Sequence, residues 1–144
     1  MASETVPTLF QSIATLELLR NLQAGGQKVR EICELVLREA GEVEPKLQAF
    51  TSIEPKLVLE AAQALDVFRL SGRSVGPLHG LPIVLSDLIE TQQQPTTNGT
   101  KLDAAKQGFK DSAVAERLKA SGAVLLGKTR VSELGVVTPP ETMH

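Results

Sequence analysis

The residues with the clearest chemical potential are Ser86 and Asp87, which follow the short apolar run Leu81–Leu85. Such a run, bounded by a Gly/Pro turn, predicts a parallel strand covered on both faces. Side chains at the carboxyl end of a parallel strand point into the crevice where α/β proteins bind ligands. Ser86 is therefore a candidate catalytic hydroxyl donor or weak nucleophile, and Asp87 a candidate base. The competing interpretation is structural, with Asp87 capping the junction of strand and loop.

A polar loop follows this strand and supplies the candidate substrate-binding residues Thr96, Thr97 and Asn98. Hydroxyl groups and backbone N–H groups of the loop up to Thr100 could line a pocket. The simpler interpretation is a turn built on Asn98-Gly99, because Asn and Gly tolerate left-handed backbone conformations.

Two further ionisable residues flank the predicted strands. Lys128 belongs to a segment, GAVLLGKT, that formally fits the phosphate-binding pattern G-x-x-x-x-G-K-[ST]. Its four inner residues are apolar strand material, so we predict no nucleotide cofactor, and whether the Lys128 ammonium reaches Ser86 stays open. His79 lies in a Gly/Pro turn at the amino end of the first strand, which favours a structural role.

Composition excludes several classes of function. The net charge is −2 and the only aromatic residues are four Phe, so neither a basic patch nor a stacking platform for nucleic acid is expected. The single cysteine, Cys33, gives no zinc spacing, lies on an apolar helix face and is predicted to be core; we expect no metal and no cofactor. No apolar run approaches the roughly 20 residues of a membrane helix, and the N-terminus lacks signal-peptide features. A cytoplasmic protein without a membrane or nucleic-acid partner is expected.

Helical spacing predicts four helices in the chain. The first begins at Ile13, is capped by Ser12 or Thr15, uses Leu16, Leu19 and Leu22, and ends at Gly25-Gly26. The second helix is predicted over Val29–Ala40 and ends at Gly41. The third begins near Pro55 and ends at Gly72, and its predicted buried residues are Val58, Ala61, Ala62, Leu65 and Phe68. The fourth is predicted over Ser112–Ser121 with Asp111 as its N-cap, and its predicted buried residues are Val114, Ala115 and Leu118.

Two strands and the helix between them complete the predicted fold. Leu81–Leu85 and Ala123–Leu126 are the strands, while Pro45–Ile53 is a connector and Thr129–Leu134 begins a further helix. The fold class is α/β, with N-terminal helices followed by a βαβ unit. We expect a flexible arm over residues 1–12, one domain over 13–134 and an irregular tail over 135–144.

Four segments resemble the amidase signature family: Gly76–Ile83 (GPLHGLPI), Pro95–Thr100 (PTTNGT), Asp111–Thr129 (DSAVAERLKASGAVLLGKT) and Ser132–Leu134 (SEL). Members of that family are serine hydrolases of amides, with a nucleophilic Ser, a bridging Ser whose peptide bond is cis, and a Lys that serves as base. The resemblance implies a partial amidase-signature fold, because it covers nearly all of this chain but only the opening part of the family domain.

The resemblance also implies that the family's catalytic groups are incomplete here. The family's first strand ends in Lys-Asp, and this place reads Ser86-Asp87. Both catalytic serines and the glycine-rich oxyanion segment lie downstream of the SEL stretch in the family, whereas ten residues follow Leu134. We therefore expect a truncated amidase-like protein without the Ser-Ser-Lys triad and without amide hydrolase activity, acting as a pseudoenzyme or an interaction subunit.

Two alternatives remain open. One is a repurposed small enzyme, for example in secondary metabolism, in which a dimer encloses a pocket lined by Ser86, Asp87 and the 96–100 loop for a non-hydrolytic cyclisation or isomerisation. The other is one part of a split amidase, which Ser86 disfavours. Either way, a bare strand edge would need cover, and we expect a homodimer or a protein partner at that edge, with a small molecule as a possible ligand.

Overall fold

The computed structural model describes residues 14–101 and 108–136. The predicted arm over residues 1–12 and all but the first two residues of the predicted tail lie outside these ranges. Within the described parts, none of the helices combines the length and the apolar character that crossing a membrane requires.

The first helix, α1, spans Thr15–Ala24 and ends as predicted, with Gly25 in the left-handed conformation at φ 77°. The predicted start at Ile13 and the predicted cap Ser12 lie outside the described residues, whereas the alternative cap Thr15 is already helical and Ala14 is the N-cap. Leu18 and Leu22 are buried, whereas Leu16 is 57% exposed. Leu22 was therefore predicted correctly, but the three-residue spacing missed Leu18, because the buried pair is spaced by four.

The second helix, α2, spans Val29–Leu47 and does not stop at Gly41 as predicted. A single glycine inside a helix costs only about 1 kcal/mol. Pro45 lies in the last turn, and its ring crowds the backbone carbonyl group four residues earlier, which belongs to Gly41. Glycine can adjust its backbone angles more freely than any other residue, so the clash is relieved there. Glycine and proline, each a helix breaker, are thus tolerated together.

The third helix, α3, spans Pro55–Leu70, and Pro55 occupies the first turn as predicted. Val58 and Ala62 are buried as expected, but Ala61 is exposed and the Phe68 side chain is 37% exposed. Asp66 takes a buried place on the core side of this helix instead. Val58, Ala62 and the partly buried Leu65 were thus predicted correctly, whereas Ala61 and Phe68 were not.

Three strands form one mixed sheet in the order β1-β3-β2. The strands are β1 (Phe50–Ile53), β2 (Pro82–Ser86) and β3 (Val124–Thr129). β2 and β3 are parallel neighbours joined through a helix, which confirms the βαβ unit. β1 pairs antiparallel with β3 and was predicted to be connector, because four residues give too short a pattern to recognise. β3 is therefore central, and β2 is an outer strand whose Val84 is 44% exposed.

The crossover helix, α4, spans Ala113–Ala120, and its cap is Ser112 rather than the predicted Asp111. Ser112 Oγ accepts a hydrogen bond from the Ala115 N–H. Ala115 is buried while Val114 is 50% exposed, which corrects the predicted inward set. The helix predicted to start at Thr129 is also wrong: β3 runs through this residue, and the described residues after it, up to 136, contain a 3-10 turn at Glu133–Gly135.

The hydrophobic core lies between α1, α2, α3 and the sheet. Its buried members from these elements are Leu18, Leu22, Val29, Ile32, Cys33, Val36, Val58, Ala62, Val124 and Leu126. Cys33 is fully buried, which confirms its predicted place. Burial, with the nearby carboxylates of Asp66 and Glu34, raises the pKa of its thiol to about 12, so the reactive thiolate is suppressed.

Candidate functional site

The carboxyl ends of β2 and β3 bring Asp87 and Lys128 together. β3 extends to Thr129, so Lys128 lies inside the strand, whereas the sequence pattern predicted it just after the strand. Both side chains are buried, and Lys128 Nζ lies 3.5 Å from Asp87 Oδ1. Burial lowers the pKa of Lys128, and the Asp87 carboxylate opposes this shift. The two residues form an internal ion pair.

The loop after β2 supplies the remaining partners of this ion pair. Lys128 Nζ donates to Thr96 Oγ1 at 2.8 Å. Asp87 Oδ1 accepts from the Thr97 N–H at 3.1 Å, and Asp87 Oδ2 accepts a short hydrogen bond from the Thr97 hydroxyl. All of these contacts join one part of the chain to another, so the network fastens the loop to the sheet.

Ser86 lies on the opposite face of β2 from this network. It is paired with Thr129, whereas Lys128 is paired with Leu85. Because side chains alternate along a strand, Ser86 and Lys128 point to opposite faces. The half-buried Ser86 Oγ accepts a long hydrogen bond, 3.4 Å, from the Leu88 N–H. The structure therefore does not bring the Lys128 ammonium to Ser86.

The predicted binding loop is occupied by internal contacts. The Thr96 hydroxyl donates to the Ile89 carbonyl at 3.3 Å. Asn98 has φ 53°, its N–H donates to the Asp87 carbonyl, and its own carbonyl accepts from the Leu134 N–H at 2.8 Å. Gly99 has φ 70°, and a Cβ at this position would lie 2.6 Å from the Ser132 carbonyl oxygen and clash with it. These contacts favour the interpretation of the loop as an Asn-Gly turn, and its role in binding a substrate stays a prediction.

Gln94 is a buried polar residue that was not among the candidates selected from the sequence. Its side chain is 2% exposed, and its Oε1 accepts from the Ser52 hydroxyl of β1 at 3.1 Å. Its carbonyl accepts from the Thr91 hydroxyl at 3.0 Å. Gln94 thus ties the loop to the strand on the far side of β3. In the sequence it is the last of three consecutive glutamines, and nothing in that pattern distinguishes the buried one from its neighbours.

His79 is buried in the turn before β2, as its structural interpretation requires. The turn is fixed to the end of α4 by two backbone hydrogen bonds, Leu78 N–H to the Ser121 carbonyl and Gly80 N–H to the Gly122 carbonyl. Burial lowers the pKa of His79; the Asp66 carboxylate raises it and the Arg69 guanidinium lowers it. Within the described residues, its Nε2 atom has no hydrogen-bond partner.

We expect His79 to make the protein less stable in mild acid. His79 is protonated in the unfolded chain below its ordinary pKa of 6.5, whereas the folded protein keeps it neutral to a lower pH. The unfolded state therefore binds more protons, and the free energy of unfolding falls as the pH decreases. Urea unfolding at pH 7.5 and pH 5.0 measures the loss, and a His79→Gln variant should lose less. An equal loss in both proteins would show that other groups cause it.

Among residues 14–101 and 108–136, no group of three or more His, Cys, Asp and Glu side chains is arranged to hold a metal ion. At the strand ends, the groups with chemical potential are Ser86 and the buried pair. A neutral serine hydroxyl does not accept a proton at usable pH, so it cannot act as a general base.

Comparison with known proteins identifies the family. The amidase family model matches residues 31–143. A glutamyl-tRNA(Gln) amidotransferase subunit of Chloroflexus aurantiacus is 39% identical over 120 residues, which are 83% of this chain and 25% of that protein. The corresponding subunit of Rhodopirellula baltica is 33% identical over 129 residues, 88% of this chain and 25% of that protein.

The fold comparison agrees. The peptide amidase of Stenotrophomonas maltophilia superposes with a TM-score of 0.80 at 29% identity, covering 88% of this chain and 26% of that enzyme. The helices, the βαβ unit and the mixed sheet are thus a partial α/β amidase fold. The chain spans about a quarter of the length of the curated relatives it matches. It belongs to the amidase family.

Proposed function

We propose that this chain is an amidase-like protein that does not hydrolyse amides by the family mechanism. The feature that supports the proposal most is Ser86, which by the resemblance occupies the place of the family's basic lysine. A serine cannot take up the proton that this lysine accepts. The role left to such a chain is that of a pseudoenzyme or interaction subunit, and we propose a cytoplasmic location for it.

The geometry of Lys128 supports the same proposal, because it removes the nearest substitute base. Its ammonium is buried, paired with Asp87 and bonded to Thr96. To serve at Ser86 it would have to cross the sheet and leave a buried carboxylate without a partner, which is costly. Asp87 is held by Thr97 and is equally unsuited to act as a free base.

Ammonia release from glutamine and benzamide, together with labelling by a fluorophosphonate probe for nucleophilic serines, tests the proposal. We expect neither ammonia release above the buffer rate nor labelling. The test variant is Ser86→Ala. Its matched control is Ser71→Ala, which changes an exposed serine at the end of α3. Ammonia release by the wild type and Ser71→Ala but not by Ser86→Ala would overturn the proposal, as would labelling of the wild type.

We further propose that a second copy of the chain covers the outer edge of β2. Val84 on this edge strand is 44% exposed, and nearby Leu88 is 43% exposed. An open strand edge with apolar side chains pairs readily with another strand. The repurposed-enzyme alternative has less support, because the hydroxyls of Thr96 and Thr97 are engaged inside the protein.

Light scattering tests the association. We expect a dimer for the wild type, a monomer for Val84→Lys, because a lysine on an edge strand blocks strand pairing, and a dimer for Val67→Lys, which changes an exposed valine on α3. A monomeric wild type, or a dimer that survives Val84→Lys, would contradict pairing at this edge.

A further inference from the structure

Helix α3 carries apolar residues on two adjacent sides. Val58 and Ala62 point into the core and are buried. Leu57, Ala61 and Ala64 lie roughly 100° away around the helix, by the spacing of 3.6 residues per turn, and both alanines are exposed. The second side therefore adds nothing to the core of the described structure.

This second side forms the floor of a cleft of about 380 Å³. Leu65 continues the floor along α3, and Leu125 of β3 closes it from the sheet. Residues 92–94 of the loop after β2 form one wall, and Asp111, just before α4, and Lys119, in its last turn, form the other. The small side chains of Ala61 and Ala64 leave this space open.

The charges at the cleft cancel each other. Lys119 Nζ lies 2.9 Å from Asp111 Oδ1 and 2.7 Å from Asp111 Oδ2, so the pair is bidentate. Asp111 Oδ1 also accepts from the Gln92 N–H at 2.9 Å. A charged ligand would have to compete with this arrangement, whereas a neutral ligand leaves it intact. The exposed Gln93 side chain adds a neutral amide donor and acceptor to the rim.

We propose that this cleft binds a neutral small molecule with an apolar body and an amide or hydroxyl group. Its volume falls at the lower end of the range for small-molecule sites, about 300–1,000 Å³, and such sites combine an apolar lining with a few polar groups. The apolar body would cover Ala61, Ala64 and Leu125, and its polar group would face Gln93. The cleft reaches the amino-terminal half of β3, away from Ser86, so the proposal does not depend on the absence of hydrolysis.

A panel of matched compounds tests this proposal: acetanilide, benzamide and phenol as neutral members, benzoate and benzylamine as charged ones. Thermal unfolding and saturation-transfer NMR measure their binding. We expect the neutral compounds to raise the melting temperature at millimolar concentration, because a ligand that binds only the folded state stabilises it. Absence of binding by all neutral members, or tighter binding by the charged ones, would overturn the proposal.

Two alanine substitutions locate the bound compound. Ala64→Trp fills the cleft and should weaken binding at least tenfold, while Ala24→Trp, at an exposed alanine ending α1, should leave it unchanged. Equal binding by both variants would overturn the assignment to this cleft. A wild-type dimer that Ala64→Trp alone converts to a monomer would also overturn it, since a second copy of the chain would then occupy the floor.

A third variant keeps the proposal testable if Ala64→Trp fails to fold. The chain contains no tryptophan, so Leu57→Trp places the only indole in the lining of the cleft and keeps Gln93. Binding of a neutral compound should change its fluorescence, and the same compound should leave the fluorescence of Ala24→Trp unchanged. Unchanged fluorescence of Leu57→Trp at saturating compound would overturn the assignment to this cleft.

Discussion

Lys128→Met is expected to lower the free energy of unfolding by about 3–5 kcal/mol, the usual cost of leaving one member of a buried ion pair alone. Methionine fills a similar volume, so lost packing contributes little. The cost arises because the buried Asp87 carboxyl group loses its ion-pair partner, and because Thr96 loses the donor to its hydroxyl oxygen. Urea unfolding of the two proteins at pH 7.5 measures the difference.

A matched lysine separates this effect from the mere loss of a charge. Lys28 lies 3.3 Å from Glu31, and both side chains are mostly exposed, 70% and 62%. Lys28→Met should therefore change stability by no more than about 0.5 kcal/mol, as for other surface pairs. The double variant Asp87→Asn/Lys128→Met should recover part of the loss, because it leaves no unpaired charge. Equal effects of Lys28→Met and Lys128→Met would contradict a buried pair.

The position of Lys128 also shows why the frame of this fold was easier to predict from the sequence than its candidate site. The alternation of strand, helix and strand and the helix end at Gly25 depend on neighbours in sequence, and they were predicted correctly. The burial of Lys128 depends on Asp87, which lies 41 positions earlier in the sequence. A lysine after an apolar run usually marks the end of a strand, so the sequence pattern around Lys128 predicted this residue outside β3.

The same limit explains the strand and the polar residues that the sequence did not reveal. Phe50–Ile53 becomes a strand because β3 offers a partner, not because four residues prefer that state strongly. Gln94 is buried because Ser52 of β1 reaches it. Ser86 was selected from its place at a strand end, which the structure keeps, but the side to which its hydroxyl points became visible only with the register of β2 and β3.

Asp66→Ala is expected to cost about 3 kcal/mol, because two charge-assisted hydrogen bonds disappear and a buried N–H group loses its acceptor. Asp66 Oδ1 accepts from the Val29 N–H at 2.8 Å, and Oδ2 accepts from the Arg30 N–H at 3.1 Å. The Lys28 N-cap of α2 makes no side-chain cap bond, so a carboxylate from α3 caps α2 in its place and also meets the positive end of the helix dipole. Urea unfolding measures the loss.

The control for this prediction is the ordinary cap of α4. Ser112→Ala removes one neutral bond, from the Ala115 N–H at 3.3 Å, and should cost only about 0.5–1 kcal/mol. Asp66→Asn keeps an oxygen acceptor without the charge and should fall between the two. If Asp66→Ala cost no more than Ser112→Ala, Asp66 would not be the residue that fixes α2 to α3.

The Arg69 guanidinium lies against Gly25 at the end of α1, so α3 holds both sides of the turn between α1 and α2 through residues of opposite charge. Loss of Asp66 should therefore loosen this turn first, and hydrogen exchange at Val29 and Arg30 should rise before that of the core of α2.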